Sequence, residues 1–347
     1  MANLNLSDLG QDCFKDYNIV ETKIYSLDFL LKGGLELGSM VQLVGASNVG
    51  KSTIGLQIAN NVCEQGYNVL YLDSEGSVSQ EMMDSMGLMK HYNSSFYLRK
   101  ESKFDKVEEV LDMFISTGQI SFIIIDSLAA LINPGFHNLN HKKNTREKTG
   151  ISVTTNEAHV TSGPLTKFMS KYRSIATDYK ICFVLINQYR TSIDNHYNTS
   201  TKVYGPKNIR YASDVIIKIN ACSSTGLLKS FDDFTKSIKT GKALEFEIDR
   251  SNKCAPGLKE PAFLRFGSGI DNLFSYFYKL KESNVITQLG VYYSLSFGGN
   301  EIKEKGALGF IEALRSIGFN DDNFKKLMSS NDDGFDGNST PRIDIEV

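Results

Sequence analysis

An α/β fold with a mostly parallel central sheet, followed by a small C-terminal α+β module, is what this chain of 347 residues predicts. Three observations carry that expectation. Apolar runs alternate with helical patterns from Val41 to about Ile219. A glycine-rich turn joins the first run to the first helix. The character of the chain changes after Gly269. Strands that are apolar throughout are buried on both faces, and intervening helices supply the cover.

Taken in order, the β runs are Val41–Val44, Asn68–Asp73, Phe122–Asp126, Ile181–Asn187 and Val215–Ile219. Helical stretches fall between them near Thr53–Glu64, Lys106–Ser116 and Leu165–Asp178. Leu244–Arg250 and Pro261–Phe266 read as antiparallel strands added at one edge. Three polar segments interrupt this pattern: Asn133–Asn156, Tyr189–Arg210 and residues 221–242. Beyond Gly269, Asp271–Ser283, Gly306–Ile317 and Asp322–Met328 read as helices and Tyr292–Phe297 as a strand. The expected organisation is a core at 21–268, a small α+β domain at 269–330 and a disordered acidic tail at 331–347. The tail sets five carboxylates against Arg342, a net of −4, and cannot bury a core.

Composition narrows the function classes. A hydrophobic content of 41% with 22% charged residues describes a globular protein. The net charge of −2 means that any nucleic-acid contact must come from local basic patches. Five scattered cysteines without C-x-x-C pairing fit reduced thiols in a cytosolic protein better than a disulfide or zinc framework. Met1–Leu9 lacks a signal pattern. The longest apolar stretch, Phe122–Ile132, is interrupted by Asp126 and too short to cross a membrane.

The turn after the first β run is Gly45-Ala46-Ser47-Asn48-Val49-Gly50-Lys51-Ser52, with Thr53 next, a complete G-x-x-x-x-G-K-[ST] phosphate loop. A strand delivers it, its glycines permit close backbone approach, and the following helix points free N–H groups at phosphate. Lys51 is expected to reach the β- and γ-phosphates, and Ser52 to ligate Mg²⁺. Asp126, ending the apolar run Phe122–Asp126, falls at the carboxyl edge of a parallel sheet, where it can orient the same Mg²⁺ through water. The second run ends in Asp73-Ser74-Glu75. Either carboxylate can orient the water that attacks the γ-phosphate, and period-two spacing places both on one strand face. Gln188, just after the fourth run, can donate to the γ-phosphate and so report which nucleotide is present.

Together these segments resemble the RecA/RadA family of strand-exchange recombinases, its bacterial branch above all. The resemblance spans Ile19 to Phe319 and rests on motifs in order: Tyr25–Gly38, Tyr71–Glu75, Ile124–Leu131, Ile186–Arg190, and Asn252–Pro256 with Phe263–Ile270. It implies a RecA-like P-loop core, ATP and Mg²⁺ as ligands, and Glu75 as the catalytic acid. It implies that Gln188 couples γ-phosphate to DNA and that Lys253 reaches a neighbouring chain's ATP. It implies single- and double-stranded DNA as partners, residues 1–20 as an oligomerisation segment, a helical filament of identical chains, no membrane, and a bacterial cytoplasm, nucleoid or phage-infected cell.

The resemblance also assigns two segments to DNA. The longer, 189–210, carries Arg190, Lys202, Lys207 and Arg210 against Asp194, a net of +3, with Tyr189, Tyr197 and Tyr204 interleaved. Cations for phosphates and rings for bases are what a single-strand groove needs. The shorter, 154–164, holds His159. Lys142, Lys143, Arg146 and Lys148 lie just upstream. Departures from the family pattern mark a divergent member of phage or plasmid type. Ser251 stands where the trans-acting segment commonly has a first lysine, Met82 where an adenine-stacking aromatic is expected, and the stretch from Leu131 to Thr154 is long. The expected function is an ATP- and DNA-dependent recombinase. The competing readings are a ring-forming RecA-fold motor and an ATP-gated scaffold.

Overall fold

The structure is a computed structural model and describes residues 18–131, 156–193, 199–222 and 241–332. It comprises two compact units. One is built from residues up to Asn220 together with Glu245–Glu260, the other from Ala221–Leu244 and from Pro261 onward.

The first unit opens with a two-stranded ribbon, β1 (Ile19–Val20) and β2 (Leu35–Glu36), around helix α1 (Tyr25–Leu30). The phosphate loop then follows β3 (Met40–Gly45) and leads into α2 (Lys51–Glu64). β4 (Val69–Asp73), α3 (Gln80–Ser85), β5 (Phe96–Lys100), α4 (Phe104–Ser116) and β6 (Phe122–Asp126) come next. α5 (Asn156–Tyr179), β7 (Cys182–Ile193), β8 (Thr199–Val203), α6 (Lys207–Ala212), β9 (Val215–Ala221) and β10 (Gly241–Ser251) complete it.

Strands β9, β3, β7, β6, β4 and β5 lie side by side in that order, every pair parallel. The expected apolar runs are therefore the sheet. Its residues alternate between faces with period two. Leu70, Leu72, Ile123, Ile125, Phe183 and Leu185 pack with Phe104, Val107 and Leu111 of α4 and with Leu165, Phe168 and Tyr172 of α5. On the opposite face α2 lies so close that a Cβ on Gly55 would sit 2.9 Å from Ile186. Glycine there lets the helix approach the sheet and fixes the phosphate loop against it.

Several expectations need correction. Within the expected loop 154–164, the described residues are helical: α5 starts at Asn156 and runs through Pro164. Pro164 is accommodated because the rest of the helix packs its apolar stripe on the sheet, outweighing about 3 kcal/mol for an interior proline. The described residues of Tyr189–Arg210 are likewise mostly regular. β7 runs on to Ile193 and pairs antiparallel with β8, and α6 begins at Lys207. Its β-branched residues at alternate positions, Thr191, Ile193, Thr199, Thr201 and Val203, suit a two-stranded ribbon. Strand β5, Phe-Tyr-Leu-Arg-Lys at the sheet's edge, carries too mixed a pattern to read as a strand from sequence.

In the second unit, β11 (Lys259–Arg265) and β12 (Gly269–Ile270) pair antiparallel ahead of α7 (Asn272–Glu282). A three-stranded antiparallel sheet, β13 (Thr287–Leu289), β14 (Tyr292–Phe297) and β15 (Asn300–Lys305), precedes α8 (Gly306–Ser316) and α9 (Asp321–Asp332). Phe277, Tyr293 and Phe310 form its aromatic core. Residues 1–17 and 333–347, which hold most of the expected N-terminal segment and acidic tail, lie outside the described residues. The four described cysteines are free thiols, Cys63, Cys182 and Cys254 buried. No described helix is long and apolar enough to cross a membrane.

Candidate functional site

Parallel pairing brings the chemistry to one edge. The register aligns Asp73 with Asp126, Asp126 with Ile186, Leu43 with Ile186, and Gly45 with Gln188. Four segments far apart in sequence thus end together, because parallel strands present all their carboxyl ends on one side.

Residues Gly45 to Thr53 form the loop and the first turn of α2. Asn48 and Gly50 take left-handed backbone, φ 60° and 110°, which Asn and Gly tolerate best. Gly45 is constrained by space instead: a Cβ there would meet Ile219 O at 2.7 Å and Val49 at 2.8 Å. The buried Lys51 donates from Nζ to the carbonyls of Ala46 (2.7 Å) and Gly45 (3.2 Å), so its ammonium already lies inside the loop's curve. Ala46, Ser47 and Asn48 face solvent and Val49 is buried beneath them.

Asp126 is 1% exposed and accepts from Tyr71 Oη at 2.8 Å and from the Ser52 hydroxyl. Burial pushes its carboxyl above the ordinary value; the two hydroxyls oppose this, and the charges of Glu75 and Asp73 reinforce it. Tyr71, wholly buried, is held far above its usual range by desolvation first and by the Asp126 carboxylate next. A buried carboxylate with only neutral donors and two acidic neighbours is a site that a hard cation relieves. Among the described residues no three His, Cys, Asp or Glu side chains gather to hold a metal alone. Ser52 and Asp126 therefore fit Mg²⁺, which keeps most of its shell from water and phosphate oxygens.

The structure separates the two carboxylates that spacing left equivalent. Asp73 is used by its own turn, accepting from Ser77 N (3.1 Å) and Val78 N (2.9 Å). Glu75 is exposed at the edge, and its Oε1 accepts from Ser127 Oγ at 2.6 Å and Gln188 Nε2 at 2.8 Å. Gln188 Oε1 in turn accepts from Ser47 Oγ at 3.5 Å. A continuous polar chain thus joins Glu75, Gln188 and the phosphate loop. Tyr71 and Ser127 were given no role in the sequence, although Tyr71 shares a strand face with Asp73 and Ser127 directly follows Asp126; Ser47 was expected only as part of the phosphate loop.

Lys253 lies elsewhere. It follows β10, whose Arg250 donates to the Ser213 carbonyl (2.8 Å) just before β9 begins. Lys253 Nζ is ion-paired to Glu36 at 2.5 Å, and Asn252 Nδ2 donates to Asp214 at 3.5 Å. These residues line a cavity of about 360 Å³ with Ser39 and Val41, at the amino edge of the sheet. Within one chain Lys253 and the phosphate loop are on opposite edges. Met82 is half-buried in α3, its N–H capped by Ser79 Oγ.

The expected DNA residues divide. Arg190 and Lys202 occupy directly opposed positions in the β7–β8 ribbon. Lys207 and Arg210 are exposed on α6, where Arg210 is ion-paired to Asp249. Tyr189 is half-buried, its hydroxyl pushed up to about 12 by burial and then by Asp249. Tyr204 is a correction: it is 9% exposed within the hydrophobic core and offers no face to a base. Its carbonyl accepts from Asn187 and its N–H donates to Gln188 O, which closes the ribbon and turns the ring inward. His159 sits near the start of α5, in a helix instead of a loop, and Tyr197 lies outside the described residues.

Comparison with known proteins places these observations. Residues 3–271 match the family model described as RecA N-terminal domain. Protein RecA of Fusobacterium nucleatum is 23% identical over 288 residues, 82% of this chain and 70% of that protein. A plasmid RecA of Lactococcus lactis is 24% identical over 293 residues, 84% of this chain and 77% of that protein. Protein RecA of Bordetella pertussis is 25% identical over 289 residues, 83% and 74% respectively.

Proposed function

Because the chain belongs to the RecA family, whose N-terminal domain spans most of it, we propose that it is an ATP- and single-stranded-DNA-dependent recombinase. It assembles as a filament of identical chains on DNA and pairs that strand with a homologous duplex. One observation carries this reading: the hydrogen-bonded chain from Glu75 through Gln188 to Ser47, with Gln188 opening the β7–β8 ribbon.

Lys51 and the loop N–H groups hold the triphosphate, and Ser52 and Asp126 hold its cation. Held by Ser52 and Asp126, Mg²⁺ would supply positive charge that offsets the charge developing on the phosphates. Glu75 takes the proton of the water whose oxygen bonds to the γ-phosphorus. The bond to the β-phosphate oxygen breaks, ADP leaves with the electron pair, and the proton passes on to solvent. Gln188 exchanges Glu75 for the γ-phosphate, and this change is transmitted along β7 to Arg190 and Lys202 on the DNA ribbon. Lys253 of another copy neutralises charge at the γ-phosphate, which makes turnover depend on assembly.

The test is the ATPase rate with and without single-stranded DNA across protein concentrations. The rate per chain is expected to rise with both, and electron microscopy to reveal open filaments. Full-speed turnover by dilute chains, indifferent to oligonucleotide, would refute the reading. Closed rings would favour a motor instead.

A further inference from the structure

The proposed base has a geometric problem that its surroundings solve. Glu75 is exposed, and a glutamate side chain free to rotate about three bonds holds no fixed aim at a water molecule. Its backbone is pinned first: Ser74 N donates to Asp126 O at 2.7 Å and Glu75 N to the same oxygen at 3.4 Å. Its carboxylate then receives two donors on one oxygen, Ser127 Oγ at 2.6 Å and Gln188 Nε2 at 2.8 Å, both on Oε1. The two donors differ in kind. Gln188 has to leave if it is to contact the γ-phosphate. Ser127 has no such freedom: it is 0% exposed, and its carbonyl accepts from Ser74 Oγ at 2.7 Å and from Ala130 N at 3.1 Å.

We infer that Ser127 is a positioning residue, whose hydroxyl anchors Oε1 of Glu75 so that Oε2 remains aimed at the attacking water when Gln188 turns to the γ-phosphate. The inference rests on the proposed function, in which Glu75 accepts the proton from that water. It accounts for the asymmetry of the carboxylate: one oxygen carries both structural bonds, and the other is left for chemistry. It also links two elements of the site, since the residue that follows the cation-holding Asp126 is the one that aims the base. A short O–H···O⁻ bond from a buried, immobile hydroxyl is the strong class of side-chain hydrogen bond. A base held within a narrow cone of orientations is what efficient proton transfer requires.

The test uses the full chain on single-stranded DNA with saturating Mg²⁺, in four forms: wild type, Ser127→Ala, Glu75→Gln and the double variant. Binding of a fluorescent ATP analogue is measured beside turnover. Ser127→Ala is expected to lower kcat about tenfold while the analogue's Kd stays within about twofold of wild type. The double variant is expected to be no slower than Glu75→Gln alone, because the anchor has nothing left to aim. Ser127→Cys, which keeps the volume and a weak donor, is expected to fall between wild type and Ser127→Ala, and serves if the alanine variant fails to fold. Wild-type kcat in Ser127→Ala or Ser127→Cys overturns the proposal while leaving Glu75 its role. So does a Kd that weakens in step with kcat, or a double variant in which the two losses multiply. Wild-type turnover in Glu75→Gln overturns the role of Glu75 and this proposal with it.

Discussion

Two chains that are each inactive, Lys51→Ala and Lys253→Ala, are expected to recover ATP turnover when mixed. Lys51 belongs to the phosphate loop at the carboxyl edge, and Lys253 to the segment at the amino edge, ion-paired to Glu36. The two edges are separated by the length of β3, Met40–Gly45. At about 3.3 Å per residue this is about 17 Å, more than a lysine side chain spans. Lys253 therefore cannot reach its own chain's phosphate loop, and in the proposed filament it would serve another copy's nucleotide. Losing that cation is expected to cost about 10²–10³ in kcat, the scale for removing one preorganised donor from a transition state. Lys51→Ala alone is expected to lose ATP-supported DNA binding, because the loop loses its cation, and to enter a filament only beside nucleotide-bound Lys253→Ala chains. In an equimolar head-to-tail assembly, about a quarter of contacts set an intact phosphate loop against an intact Lys253, so about a quarter of the wild-type rate returns. The assay is steady-state ATPase on single-stranded DNA, with fluorescent labels on both variants to establish co-assembly. A mixed filament no faster than the average of its parents would refute composite sites. So would a Lys253→Ala chain that turns over ATP at the wild-type rate.

Three further outcomes follow from the same geometry. Tyr71→Phe removes the 2.8 Å donor to the buried Asp126 carboxylate and is expected to destabilise by roughly 1.5–3 kcal/mol at pH 8. The Asp126 carboxyl is raised in the fold, so ionising it grows costly as pH climbs above its ordinary value; the penalty should shrink toward pH 4, and equal urea midpoints for wild type and variant at pH 8 would contradict this. Asp28, pushed up to about 7 mainly by burial, gives stability that is complete below about pH 4 and lost as pH rises through about 7. Asp28→Asn, whose carbonyl can still accept from Thr22 N and Oγ1, should flatten the fall in Tm between pH 5 and 8, and an unchanged slope would count against burial as the cause. Arg190→Ala with Lys202→Ala should weaken single-strand binding without sequence preference and reduce the slope of log affinity against log salt by about 1 to 2; an unaltered slope removes both from the DNA surface.

Much of the fold could be read from the chain because its signals are local. The phosphate loop is eight consecutive residues, and the apolar runs of a parallel sheet need no partner to be recognised. The readings that failed were those where packing overrides local character. The helix expected to begin at Leu165 begins at Asn156 and passes through Pro164. Tyr204 looks like a surface ring in a polar stretch, yet the turn it closes folds it into the core. The second donor to the base was hidden for another reason: nothing in the letters of Ser127 tells which way its hydroxyl points.

By itself the sequence determined that this chain carries a phosphate-loop motif, where the loop lies, and that a parallel sheet carries it, since contiguous motifs and burial patterns are properties of the unfolded string. Only the tertiary structure tied Asp73 into its own turn, joined Glu75 to Gln188 and Ser127, and set Lys253 on the far edge. Those relations depend on strand register and crossover topology, which link Glu75 to residues 52 and 113 positions away and leave no trace in local spacing.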